Sequence, residues 1–155
     1  MKRFFLTVLF LICGSFCFAD RYPTFIAKKG QSVTSLSNLL IEHDYKINIE
    51  DNILYTDKYE DYIKIFDEYY RLTSRVFFIE NNKISNENIT FNDNYFTFTK
   101  ILVLYSSVFN LKIFPSCCNE NFVSIYLRSG NRDIFRLVYD NLGDGDPEIR
   151  IARYF

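Results

Sequence analysis

The sequence predicts an α+β fold of two tandem βαββα(β) units, small mixed sheets each covered by two helices. Three observations predict it. Residues 36–49, LSNLLIEHDYKINI, change from helical spacing (Leu36, Leu39, Leu40, His43) to strand alternation (Tyr45, Ile47, Ile49) across Asp44 alone. A similar change follows Phe98, Ile101, Leu102, Tyr105 and Val108, where the chain runs into Leu111–Phe114. Each half then continues with one more helix-like stretch and its own strand-like runs.

In chain order, residues 24–28 read as a short strand, Gly30 turns the chain, and Ser32 caps a helix from Val33. Lys46–Glu50 follows as a strand, Asp51-Asn52 as a turn, and Ile53–Tyr55 as a brief return strand. Asp57 and Glu60 form a capping-box pattern ahead of Tyr59, Tyr62, Ile63, Phe66, Tyr69 and Tyr70, whose spacing predicts an amphipathic helix with a tyrosine-rich core face. RVFFIE (75–80) predicts a strand because β-branched and aromatic residues suit a pleated surface. After a polar break at Asn81–Lys83 the second unit opens with strand Ile89–Phe91, cap Asn94 and a helix that is apolar nearly all round. Residues 115–121 read as a loop and FVSIYLR (122–128) as a strand. Ile134, Phe135, Val138 and Leu142 share one helical face that ends at Gly143, and EIRIARY (148–154) closes the sheet. The two units correspond in pattern, with Leu36 answering Ile101, Leu40 answering Tyr105, Ile47 and Ile49 answering Leu111 and Ile113, and Ile63 answering Phe135.

Residues 1–19 are read as a cleavable signal peptide. Lys2 and Arg3 precede an apolar run to Phe18, and Ala19 suits a cleavage site. The run is short for a membrane span, which needs about 20 apolar residues. The expected units are therefore 20–82 and 83–155, exported to the periplasm, envelope or exterior. Cys17 raises lipidation, though Phe16 stands where a lipoprotein signal has a small residue. Without Lys2 and Arg3 the acids outnumber the bases by three, which is no footprint for nucleic acid or an anionic membrane surface. Cys117 and Cys118 are neighbours, about 3.8 Å apart at Cα, closer than the ~4.4 Å a disulfide wants. They read as loop thiols, with an intermolecular disulfide as the alternative that an exported setting keeps open.

The stretches GQSVTSLSNLLIEHDYKINIEDN, NITFNDNYFTFTKILVLYSSVFNLKIF and VSIYLRSGNRDIFRLVYDNLG carry a family resemblance. A strand, a helix with paired Leu residues, and a strand following at once resemble the short N-terminal domain of secretins and TonB-dependent receptors. Small accessory proteins of type IV pilus and secretion systems carry the same domain. The glycine that this family often has between helix and strand is replaced here by Asp44-Tyr45 and Phe109-Asn110. The resemblance implies a non-catalytic exported module that binds a secretin, pilus or transport component.

Sheet edges offer unpaired backbone groups to another chain. The candidate interaction edge is Arg75, Phe77 and Ile79 of one predicted strand with Arg150 and Arg153 of another, and a homo-oligomer is the other partner such edges allow. A secreted effector or inhibitor acting on a host or competitor protein is the alternative function. No cofactor is expected. His43, the only histidine, reads as a packed or helix-end residue because no metal or catalytic partners are spaced around it. DNLGDGDPE (140–148) has alternating acids but lacks a calcium loop's spacing and closing acid, and reads as a helix stop and turn. No Gly-rich phosphate loop or nucleophile elbow occurs. Asn88-Ile89-Thr90 is a glycosylation sequon.

Overall fold

The computed structural model describes residues 25–65 and 68–155. The predicted leader, Cys17, Thr24 and the predicted helix residue Phe66 lie outside the described residues. Two helices are present among the described residues, α1 (Val33–Glu42) and α2 (Tyr95–Val108). The strands are β1 (Lys46–Glu50), β2 (Ile53–Asp57), β3 (Tyr62–Ile65), β4 (Glu68–Glu80), β5 (Lys83–Asn92), β6 (Lys112–Cys118), β7 (Phe122–Ser129), β8 (Arg132–Asp140) and β9 (Glu148–Tyr154). They form one sheet in the order β1-β2-β4-β5-β9-β8-β7-β6, with β3 paired to the first part of β4, and every pairing is antiparallel.

Two mixed sheets, each under two helices, are therefore not what forms. The expected helix over 57–70 is the β3–β4 hairpin, and the expected helix over 131–142 is β8. Ile63 and Tyr70, seven residues apart, fit one helical face, but the buried set is Ile63, Ile65, Tyr70 and Leu72, which alternates along the two arms of a hairpin. Over 131–142 the expected helical face is Ile134, Phe135, Val138 and Leu142, whereas Phe135, Leu137 and Tyr139 are buried at strand spacing on β8 and Leu142 is exposed. Neighbouring strands decide between the periods, because Leu72 pairs with Phe91 and Phe135 with Leu127 on one buried face. Of the tyrosines expected in a helical core, Tyr59 and Tyr69 instead stand 84% and 70% exposed, beneath Arg71 and Lys64. The unit boundary expected at 82/83 falls in the tight turn joining β4 to β5.

The helix-to-strand switch at residues 36–49 is real, and its cause is a shared stop signal. In α1 the N–H of Asp44 donates to the carbonyl of Ile41, and that of Tyr45 to the carbonyl of Leu40, both at 3.0–3.1 Å. In α2, Asn110 and Leu111 donate in the same way to Ser107 and Ser106. This is a Schellman ending, with Asp44 (φ 63°) and Asn110 (φ 50°) at the left-handed position that glycine usually fills. The N-caps are Ser32 and Asn94, whose side chains accept from Ser35 and from Phe96 and Thr97.

The register is two-fold symmetric about the pair Asn88–Ala152. A half-turn there carries β1 onto β6, β2 onto β7, β4 onto β8 and β5 onto β9. Leu54 then matches Ile125, Tyr55 matches Tyr126 and Phe77 matches Leu137. Ile47 matches Ile113 rather than Leu111. Directly opposed residues share a face, so Phe77, Glu87, Arg153 and Phe135 form one continuous row. α1 packs Leu36 and Leu40 beside Phe77, and α2 packs Phe98, Ile101 and Tyr105 beside Phe135. Both helices therefore cover the same face of the sheet. The strap of residues 25–28 lies on that face too, with Phe25 against the α2 cluster and Ile26 and Ala27 in the α1 cluster.

Candidate functional site

The face turned away from the helices is covered by no helix or strap among the described residues. Its middle row is Tyr55, Val76, Asn88, Ala152, Arg136, Tyr126 and Phe114, one residue from each strand from β2 to β6 along the sheet. Strand alternation places each of these side chains outward because their chain neighbours, such as Phe77, Leu127 and Leu137, are buried in the core. Phe78, Tyr154 and Asn86 flank the row on one side, and Thr90, Arg150 and Ser124 on the other.

At the β6 end the row becomes a stack of rings and guanidinium groups. Arg128 lies 4.7 Å from the Phe114 ring centre and 5.5 Å from that of Tyr126, and Arg136 lies 5.4 Å from Tyr126 on its own account. Arg136 Nε donates to Ser124 Oγ at 3.1 Å, and Arg128 is anchored by Asp133. Tyr154 is half-buried beside this group. Burial pushes its phenol above the usual tyrosine range, Tyr126 adds to the shift, and Arg136 opposes it. Fixed arginines on aromatic faces give a rigid surface with hydrogen-bond donors still available, the composition enriched at protein interfaces.

The second polar group is on the covered face. Glu87 is fully buried and Arg75 is 3% exposed. Arg75 Nη1 meets Glu87 Oε1 at 2.6 Å, and its Nε meets Asp61 Oδ2 at 2.8 Å. Tyr45 Oη donates to Asp61 Oδ1 at 2.9 Å. The Glu87 carboxylate also accepts the backbone N–H of Ile26 (3.2 Å, Oε1) and of Ala27 (3.0 Å, Oε2). Burial pushes the Glu87 carboxyl up, against the pull of Arg75 and the two N–H groups. Burial works to lower Arg75, but Asp61 and Glu87 outweigh it and hold its guanidinium above the usual range.

The edge residues read from the sequence are placed elsewhere than expected. Arg75, Phe77 and Ile79 are on β4 and Arg150 and Arg153 on β9, and both strands are paired on two sides. Phe77 is in the core beside α1. Arg150 is held on the open face by Asp140 and Glu148, and Arg153 stacks on Phe25 and Phe155 on the covered one. Along the main order of the sheet the edge strands are β1 and β6, and β3, off that path, pairs with β4 alone. Cys117 and Cys118 are exposed free thiols on β6, not loop residues, facing opposite sides of the sheet. His43 is the C-cap of α1, and its carbonyl accepts from Lys58. Residues 141–147 of the acidic stretch form the β8–β9 connection, which follows a strand rather than a helix. Asn88 is half-buried at the centre of the open face, on β5.

No family model, curated protein or solved structure matches the chain. No helix among the described residues is long and apolar enough to cross a membrane. Of the open-face row only Arg136 is in a stretch that the sequence predicts as helix; most of the others are on predicted strands, and what the sequence does not give is which strands lie side by side. The alternation of Tyr126, Arg128 and Ser124 with Leu127, Ile125 and Val123 was its available signal.

Proposed function

We propose that the chain is an exported, non-catalytic protein–protein interaction module that docks a folded partner on the open face of its sheet. The observation that carries this reading is the row from Tyr55 to Phe114, with the Phe114–Arg128–Tyr126–Arg136 stack at one end. Tyrosine and arginine on a rigid strand lose little side-chain freedom on binding, which is why they dominate interface hot spots. The edges are a poorer route than the face. β1 is a five-residue strand ending in Lys46 and Glu50, and β6 carries Pro115 and a register shift between Pro115 and Cys117. Short length, charge, proline and bulges all hinder strand addition.

The test places a photocrosslinking amino acid at Tyr55 or Tyr126, and at Val103 on the outer side of α2 as a control, in the cells that make the protein. A discrete protein adduct from the two sheet positions and none from Val103 supports face docking. Adducts from Val103 alone, or none from the sheet face, reject it. An adduct with an envelope component fits the accessory-protein role that the sequence resemblance implied, and one with an external protein fits the inhibitor role.

A further inference from the structure

The two-fold register supplies an internal control for the buried ion pair. Arg75 occupies the position that Phe135 holds in the other half, and Glu87 the position of Ile151. Both counterparts are apolar and buried. The fold can therefore fill these places with hydrocarbon, and a buried ion pair is seldom more stable than such a filling. What the first half has and needs the pair for is the strap. Its two consecutive N–H groups, from Ile26 and Ala27, each meet one oxygen of Glu87. Arg75 holds that carboxylate at Oε1, the oxygen that also accepts from Ile26, and Asp61 in turn holds Arg75.

The strap is recognised by its backbone more than by its side chains. Phe25 lies on Phe135, with ring centres 5.9 Å apart, under the guanidinium of Arg153. Ala27 is buried in the α1 cluster, and Lys28 is already exposed. Beyond Lys28 the chain turns at Gly30 (φ 76°), pairs through Gln31 and Ser32 with the start of β5, and enters α1. Among the described residues the strap is held by two amide–carboxylate bonds, by apolar packing of Phe25, Ile26 and Ala27, by Arg153 over the Phe25 ring, and by the Lys28–Gln31 turn that leads towards α1.

We propose that the seam between the two helix-covered halves is a binding site for an extended peptide segment, occupied in cis by residues 25–28 and opened when that strap lifts. The occupant is an extended segment of a protein partner that offers two successive backbone N–H groups to Glu87. It carries an aromatic or bulky apolar residue for the Phe25 position and a small residue for the Ala27 position. This site lies on the opposite face from the docking surface proposed above and does not depend on it.

Two measurements test the proposal on the full chain. In hydrogen exchange of the unaltered protein, the Ile26 and Ala27 amides should exchange at least ~100-fold faster than the sheet-centre amides of Ile89 and Ile151, because the strap opens locally. Exchange of all four at one common rate would mean that the strap leaves only when the whole fold does, and would overturn the proposal. The second measurement uses Ala27→Pro, which removes one donor from the strap and leaves the receptor intact. A fluorescent synthetic peptide of residues 20–31 should bind this variant at least ~10-fold more tightly than the unaltered chain, whose own strap competes at high effective concentration. Adding Glu87→Gln to Ala27→Pro should abolish that binding, since one of the two acceptor oxygens becomes a donor. Equal binding with and without Glu87→Gln, or no binding to the Ala27→Pro chain, overturns the proposal. Failure of Ala27→Pro to fold does so as well, because a strap that the fold cannot spare is not releasable.

Discussion

Burial and charge meet at two tyrosines, and the consequence is measurable in alkali. Tyr45 and Tyr70 are each under 10% exposed, and their hydroxyls donate to the carboxylates of Asp61 and Glu68. Burial pushes both phenols up to about 12, with the adjacent carboxylates adding to the shift and Arg75 opposing it at Tyr45. A group whose folded pKa is raised stabilises fully below its unfolded pKa, ~10 for tyrosine, and loses that contribution as pH rises to the folded value. Stability should therefore fall between pH 10 and about 12. Replacing both tyrosines by phenylalanine should flatten that fall, as read from urea midpoints along a pH series. The Arg75–Glu87 pair makes a second residue-level prediction. Arg75→Met leaves Glu87 buried without its main counter-charge and should cost about 3–5 kcal/mol in the same urea assay. The double replacement Arg75→Phe with Glu87→Ile copies the other half of the sheet and should cost far less than that single change.

At the level of elements, hairpin turns decide as much as periodicity does. The β1–β2 turn has Asp51 and Asn52 at φ 49° and 62°, and the β4–β5 turn has Asn81 and Asn82 at 51° and 59°. Two consecutive left-handed residues make a type I′ turn, whose twist matches that of its flanking strands. Asn82→Val should lower stability by about 1–2 kcal/mol, since a β-branched residue resists that conformation, whereas Asn82→Gly should be nearly neutral. Thermal melts of the two variants give the comparison. The same turns mark how far the sequence was readable. Both helices, their caps Ser32 and Asn94 and the first strand after each were legible, because each rests on contacts within a few residues. The Asn81-Asn82 pair was read as a polar break although it is a hairpin signal joining the two long strands β4 and β5. Stretches 57–70 and 131–142 were read as helices because Ile63 and Tyr70, or Phe135 and Leu142, sit seven residues apart. Only partners distant in sequence, such as Phe91 for Leu72, settle the strand period. The open face was hidden for the same reason, since Tyr55, Val76, Ala152, Tyr126 and Phe114 are on predicted strands whose neighbours are far away in the sequence.

For the whole molecule the two-fold register explains why the open face is one continuous surface. Two α-plus-four-strand halves join through β5 and β9, so their helices fall on the same side and their outward rows merge into a single surface. That surface is symmetric in backbone but not in chemistry. Tyr55 and Tyr126 are equivalent, whereas Val76 matches Arg136 and Asn48 matches Phe114. The arginine–aromatic stack is therefore confined to the β6–β8 end, and partner affinity should be concentrated there. Tyr126→Ser removes the ring beneath both Arg128 and Arg136. Surface cation–π contacts contribute about 0.5–1 kcal/mol each, so folding should weaken by no more than roughly 2 kcal/mol. If Tyr126 is a hot spot at the centre of the contact, binding should weaken by at least about 2 kcal/mol, a thirtyfold rise in Kd or more, in a calorimetric titration of the crosslinked partner. Tyr55→Ser, the matching change at the other end, should leave Kd within about threefold, because none of the described arginines stacks on that ring. An equal loss from the two substitutions would show that the partner spans the sheet symmetrically, and that the backbone two-fold rather than the arginine stack governs recognition.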